Sequence, residues 1–224
     1  MTSGADELTP HPAVPAALRA PLAAIAVAAA AVAVLLGVLV TGDSTGTAVD
    51  RSAYTAWQDS VREPSLSFDV SWAIGTAGDP AWAAGLVVLL AALCFAVGRR
   101  RLALLAVAGP AATGVITTLV KPVVDRTING DHLSYPSGHT ALLTSLGIVA
   151  GLLLTDRFRL GRARGLPLVL GLAVLCGAAM SWSQTASRVH YLTDTLGGFC
   201  TALALVVAAG WLIDRVADRV KVTG

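Results

Sequence analysis

Six apolar stretches divide this chain, at about residues 21–40, 80–98, 102–120, 139–155, 166–183 and 193–213. Each approaches the roughly 20 residues that a helix needs to cross about 30 Å of hydrocarbon. The expected fold is all-α: a polytopic membrane bundle of six transmembrane helices. Only 13% of the residues are charged, and they collect between the stretches. The 224 residues hold one bundle, residues 19–224, with no room for a separate soluble domain. Residues 1–18, with Pro10, Pro12 and Pro15, read as a disordered cytoplasmic tail. A cleaved signal peptide is the competing reading of the first stretch. Against it, a signal core spans about 7–15 residues, and the segment before this stretch carries Asp6 and Glu7.

Arg99, Arg100 and Arg101 separate the second and third stretches; Arg157, Arg159, Arg162 and Arg164 separate the fourth and fifth; Arg215, Arg219 and Lys221 follow the sixth. With alternating spans all three clusters fall on one side, which the positive-inside rule makes cytoplasmic, with both termini. Beyond the first stretch, the remaining basic residues, Arg51, Arg62, Lys121, Arg126 and Arg188, lie on the opposite, external side. Cations kept where topology signals are sparse suggest a bound anion. A net charge of +2 is too small to imply nucleic acid. Cys94, Cys176 and Cys200 lie in apolar stretches without metal-ligand spacing, so neither zinc nor a disulfide framework is indicated. Residues 41–79 form a long external connection whose spaced apolar residues suggest amphipathic pieces in the headgroup layer, serving either as a roof or as a plain linker. Trp82, Trp182 and Trp211 near span ends read as aromatic-belt anchors, and Gly147 with Gly151 as a close-packing GxxxG.

Tyr135-Pro136-Ser137-Gly138-His139 opens the fourth stretch. Ser137 is a natural N-cap, Gly138 lets a ligand approach the backbone, and the free N–H groups of a first turn attract an oxyanion. His139 stands where it can protonate the leaving oxygen of a phosphate ester. A plain Ser-Gly helix cap is the alternative. His190 and Asp194 are four residues apart, which on a helix brings their Cβ atoms within about 5–6 Å on one face. Asp194 then orients the imidazole and leaves its other nitrogen as a nucleophile. A solvated pair at a helix start is the alternative. Lys121, ending the third stretch, either snorkels to the interface or joins Arg126, Ser137, His139, Arg188, His190 and Asp194 at one external mouth. Two histidines, several cations and a helix N-terminus suit phosphoryl transfer through a phosphohistidine, with no metal and no cofactor called for.

These residues resemble the type 2 phosphatidic acid phosphatase superfamily, whose pattern is Lys, six residues, Arg-Pro; then Pro-Ser-Gly-His; then Ser-Arg, five residues, His, three residues, Asp. Pro136–His139 matches in full, as do His190 and Asp194. The resemblance implies His190 as nucleophile, Asp194 as its orienting partner, His139 as acid and then base, and Lys121, Ser137 and Gly138 as phosphate ligands. Two family arginine positions are occupied otherwise, by Ile128 and Gln184. Arg126, two positions before Ile128, and Arg188, four after Gln184, are the replacements expected among the phosphate ligands. On a helix Arg188 would return to within about 40° of the missing face, one turn along. The implied substrates are lipid phosphates: phosphatidic acid, phosphatidylglycerol phosphate or polyprenyl (pyro)phosphates, hydrolysed at the external face of the cell membrane. A non-catalytic protein that binds anionic lipid is the competing class. A transporter fits poorly, because no ionisable residue lies mid-span.

Overall fold

The structure is a computed structural model that describes residues 11–222. Five helices are long and apolar enough to cross a membrane: α1 (Ala16–Leu39), α5 (Arg100–Val124), α6 (Gly138–Arg157), α7 (Arg162–Ala186) and α8 (Leu192–Val222). Between α1 and α5 lie α2 (Ala48–Trp57), a 3-10 turn (Gln58–Val61), α3 (Leu66–Thr76) and α4 (Pro80–Ala96). The expected second span corresponds to α4, which has 17 residues. It qualifies as a sixth span only together with α3, from which it is bent by 74°. The chain is thus a multi-pass helical membrane protein with five candidate spans, or six if the bent α3–α4 pair counts as one.

Helix α6 is the hub. Small residues set its distance from α7: a Cβ on Gly147 would stand 2.6 Å from the Leu172 carbonyl oxygen, and one on Gly151 2.6 Å from the Val169 Cα. The GxxxG therefore lets two backbones meet, as such pairs do where dispersion rather than hydrophobic exclusion drives association. Leu102, Leu105, Ile148, Leu152, Val169 and Val206 fill the core between α5, α6, α7 and α8. Val34, Val38, Leu89, Leu119 and Leu212 point outward, where a hydrocarbon solvent carries no penalty.

One end of the bundle is sewn by charge. Asp214 of α8 accepts from the backbone N–H groups of Ala13 (2.8 Å) and Val14 (3.1 Å) and from Arg101 (3.1 Å) and Arg19 (3.3 Å). Arg99 pairs with Asp156, and Arg101 also with Asp218 at 2.7 Å. This corrects the expectation of a disordered tail for residues 11–18: Ala13, Val14 and Leu18 are fully buried, because Asp214 satisfies the N–H groups just ahead of α1. Residues 1–10 of that expected tail lie outside the described residues.

At the opposite end, the 41–79 connection is packed rather than loose. Thr47 and Asp50 form a capping box on α2, and Ser65 caps α3. Trp182, expected as a belt anchor, donates from Nε1 to Ser60 Oγ at 2.9 Å and ties the 3-10 turn to α7. Ser183 Oγ donates to the Ser71 carbonyl at 2.7 Å and ties down α3. After α5 the chain forms a small hairpin, β1 (Thr127–Ile128) with β2 (His132–Leu133), turning through Asn129 and Gly130 at φ 51° and 91°. Those are the residue types that accept positive φ in hairpin turns.

Candidate active site

The mouth of the bundle gathers residues from several segments far apart in the chain. Helix α7 ends at Ala186, and its last turn is closed by the Gln184 carbonyl, which accepts from Val189 N (2.9 Å) and His190 N (3.1 Å). His190 therefore stands in the turn before α8, and only Asp194 is helical. The four-residue spacing works across a turn-to-helix junction, not along one helix face. Asp194 Oδ2 accepts from the Tyr191 N–H at 3.0 Å, which closes that junction. His190 Nδ1 lies 3.5 Å from the same oxygen and has no hydrogen-bond partner among the described residues. That is longer than a formed bond, in keeping with catalytic pairs that tighten only on binding. With Nδ1 turned to Asp194, Nε2 is the nitrogen left for a substrate.

His139 opens α6 with its ring centroid 6.4 Å from that of His190. A single phosphoryl group with attacking and leaving atoms in line bridges such a gap. Its Nε2 lies 3.5 Å from Asp79 Oδ1, at the bend between α3 and α4. Gly78 makes this approach possible, since a Cβ there would fall 2.1 Å from His139 Cδ2. Ser137 caps α6: its Oγ accepts from Thr140 N at 3.4 Å, and its own N–H donates to the Asp194 carbonyl at 3.0 Å. Two glycines of α8 admit this turn. A Cβ on Gly198 would meet the Ser137 carbonyl oxygen at 2.2 Å, and one on Gly197 the Tyr135 ring at 2.4 Å. Gly138 is half-buried beside Thr117 of α5. Lys121 Nζ donates to the Leu133 carbonyl at 3.0 Å, which leaves ammonium hydrogens over, and its charge acts on both Asp194 and His139.

Arg126 stands differently from what a phosphate ligand requires. It is fully buried, with Nη1 donating to Asp194 Oδ1 (2.6 Å) and Thr193 Oγ1 (2.6 Å), and Nη2 donating to Asp50 Oδ2 (2.7 Å) and Asp43 Oδ2 (3.0 Å). Tyr191 covers its face at 4.2 Å. Both terminal nitrogens are committed to carboxylates, so the guanidinium faces Asp194 and not the cleft. Asp50, also buried, accepts from the Thr193 N–H at 2.8 Å and pins α2 to the start of α8. Burial pushes the Asp50 carboxyl up, but the Thr193 and Thr47 N–H groups and Arg126 outweigh it and hold the carboxyl below its ordinary value. Asp43 is lowered in the same way: burial opposes, and Thr45 and Arg126 prevail.

Arg188 is not on a helix, so the one-turn displacement argument fails. It sits at φ 57° in the turn, its carbonyl accepts from Asn129 Nδ2 at 2.7 Å, and its guanidinium stacks on Tyr54 at 3.9 Å. Gln184 is buried with its Oε1 unpartnered among the described residues, and Ile128 lines an outer cavity of about 460 Å³ that reaches His190. A separate apolar groove of about 550 Å³ runs between α7 and α8, lined by Trp57, Val174, Trp182 and Phe199 and including Thr140 and Thr195, the residues next to His139 and Asp194 in the chain. Among the described residues no three His, Cys, Asp or Glu stand so as to hold a metal ion. The carboxylates that do converge enclose Arg126.

Asp50, Asp79, Gly78 and the Gly197-Gly198 pair were not singled out by sequence reasoning. The Asn129-Gly130 dipeptide was a usable hairpin signal, and a Gly-Gly pair inside an apolar stretch was a usable sign of close backbone approach.

The family profile of the PAP2 superfamily matches residues 102–217, just over half of the chain. The chain belongs to the PAP2 superfamily. Among solved structures, the crystal structure of a transmembrane PAP2 type phosphatidylglycerolphosphate phosphatase from Bacillus subtilis is similar, with a TM-score of 0.64 over 87% of this chain and 96% of that one. The two are 19% identical in sequence, so the likeness establishes a shared membrane PAP2 fold. No curated protein matches the chain. The PAP2 match covers α5 to α8, the helices whose ends carry Lys121, His139 and Asp194.

Proposed function

We propose that this PAP2 protein is an integral-membrane lipid-phosphate phosphatase working through a phosphohistidine. The observation that carries the reading is the pair of histidine rings 6.4 Å apart at the α6 N-terminus, each facing its own carboxylate. His190 Nε2 attacks phosphorus, the bond from phosphorus to the lipid oxygen breaks, and that oxygen leaves with a proton from His139. His139 then takes a proton from water, the water oxygen attacks phosphorus, the N–P bond breaks, and inorganic phosphate departs with both histidines restored. Charge on the transferring oxygens is met by Lys121 and by the first-turn N–H groups around Ser137 and Gly138. Arg126 serves as a positioning residue that holds Asp194, in place of the phosphate ligand expected from the sequence.

The apolar groove that includes Thr140 and Thr195, chain neighbours of His139 and Asp194, supports a lipid substrate, since an acyl or polyprenyl chain lying there would hold its headgroup near the histidines. The arginine clusters at the end opposite the site support cytoplasmic termini and an external active site in the cell membrane. The test is phosphate release by the purified protein in detergent with EDTA, over a panel of lipid phosphates and a polyprenyl diphosphate, beside His190→Ala. Release that vanishes in the folded variant supports the reading. No release by the intact, folded protein would move the assignment to anionic-lipid binding, with Ile128 and Gln184 at the family's arginine positions as the reason.

A further inference from the structure

The outer cavity of about 460 Å³ touches His190 but not His139, Lys121 or Gly138. It is therefore distinct from the place between the histidines where a reacting phosphoryl group would sit. Two arginines line it from opposite elements, Arg51 of α2 and Arg188 of the α7–α8 turn, with Asn129 and Thr45 beside them. Neither arginine has a carboxylate partner among the described residues. The one acid in the lining, Asp50, is spent on Arg126, Thr47 and Thr193. The cavity thus carries two positive charges that the protein leaves unmatched.

Both arginines are also held in place. Arg51 follows directly on the buried Asp50 anchor and rests one donor on the Gly46 carbonyl at 2.5 Å. Arg188 sits in the left-handed region at φ 57°, which is uncommon for a non-glycine residue, with Asn129 bonded to its carbonyl and Tyr54 under its guanidinium. Stacking holds the guanidinium plane and leaves its edge N–H groups free for a two-pronged grip on an oxyanion.

We infer that Arg51 and Arg188 form a subsite for a second phosphate group of the substrate, next to the one that His190 takes. The inference rests on the phosphatase reading and narrows it to lipids with two neighbouring phosphates: a lipid diphosphate, or a monoester carried on a phosphodiester headgroup.

The test uses His190→Ala protein in lipid nanodiscs, where lipids bind without turnover, and compares pairs that differ by one phosphate. These are a polyprenyl diphosphate against the same polyprenyl monophosphate, and phosphatidylglycerol phosphate against phosphatidic acid with the same acyl chains. The doubly phosphorylated member of at least one pair binds about tenfold to a hundredfold tighter, and Arg51→Gln with Arg188→Gln brings the ratio to within about threefold. Each single variant reduces the ratio and serves where the double variant does not fold. Ratios near one in both pairs with the arginines intact, or a ratio that survives their removal, overturn the inference. So does inorganic phosphate binding as tightly as the lipid with the same arginine dependence, which would make the cavity a site for released product. Phosphate release by the intact protein is the separate arm. Release without the preference sinks the subsite alone, and the preference without release sinks the phosphatase reading alone.

Discussion

Arg126 Nη1 meets Asp194 Oδ1 at 2.6 Å with both side chains wholly buried. This contact joins the partner of the proposed nucleophile to helix α2 and the segment before it, because the other terminal nitrogen of the same guanidinium is held by Asp50 and Asp43. Removing the arginine strands buried carboxylates, a change that costs about 3–5 kcal/mol when one member of a buried pair is lost. Arg126→Met is expected to lower the melting temperature in detergent sharply and to abolish turnover. Arg126→Asp with Asp194→Arg, which keeps the charges but exchanges their places, is expected to restore part of the stability and no activity.

Acid should release the same clamp. Asp50 and Asp43 have folded-state values below their ordinary 3.8. Their contribution to stability is therefore complete above about pH 4 and is lost as pH falls through the folded values. Melting temperature measured from pH 7 downward is expected to hold to about pH 4 and then fall. Asp50→Asn should melt lower at neutral pH and show a shallower acid limb. An unchanged acid limb in that variant would remove Asp50 from the account.

Asp79 faces His139 from an exposed position, so its influence is small and specific. Asp79→Asn is expected to lower kcat by no more than about fivefold, the scale of an exposed ion pair. The loss should be larger for lipids with poor leaving groups, while KM changes little. His139→Ala should cost about a hundredfold or more by loss of the proton donor. Steady-state kinetics on two substrates of different leaving-group basicity measure both.

Gly78→Ala tests the bend directly. The added methyl would stand 2.1 Å from His139 Cδ2, so the imidazole or the α3–α4 junction must shift. The variant is expected to insert and melt within a few degrees of the parent and to lose at least about tenfold in kcat, since small misplacements at a reacting centre are costly. Full activity would mean that His139 need not sit where it is observed.

The membrane-crossing helices were legible because apolar length is a local property: α5 to α7 fall within a few residues of the expected stretches, and α8 starts where expected but runs on to Val222, past the expected end at 213. Helix α4 was legible as an apolar run, and its start at Asp79-Pro80 is a local signal, whereas the approach of Gly78 to His139, far along the chain, is not. Asp50 reads locally as the third residue of a capping box, and it is one. Its contact with Arg126, 76 residues away, is invisible to such a reading. The same blindness explains Arg126: its place beside a missing family arginine suggested a phosphate ligand, whereas carboxylates from distant segments claim it first. The buried 13–14 segment was missed because prolines and polar neighbours resemble a loose tail until Asp214 supplies its hydrogen bonds.

Helices α1 and α8 share one core, in which Leu18, Leu22 and Ala26 lie in the same cluster as Leu203, Val206 and Val207, and Val14 sits against Gly210. A ribosome delivers α1 well before α8, at about 5–20 residues per second. For much of synthesis the inner face of α1 must be shielded by lipid or by the insertion machinery, and the clasp around Asp214 closes only after α8 has emerged. A polypeptide that stops short of α8 would present that unshielded face, together with the unmatched charge of Arg101, to membrane quality control.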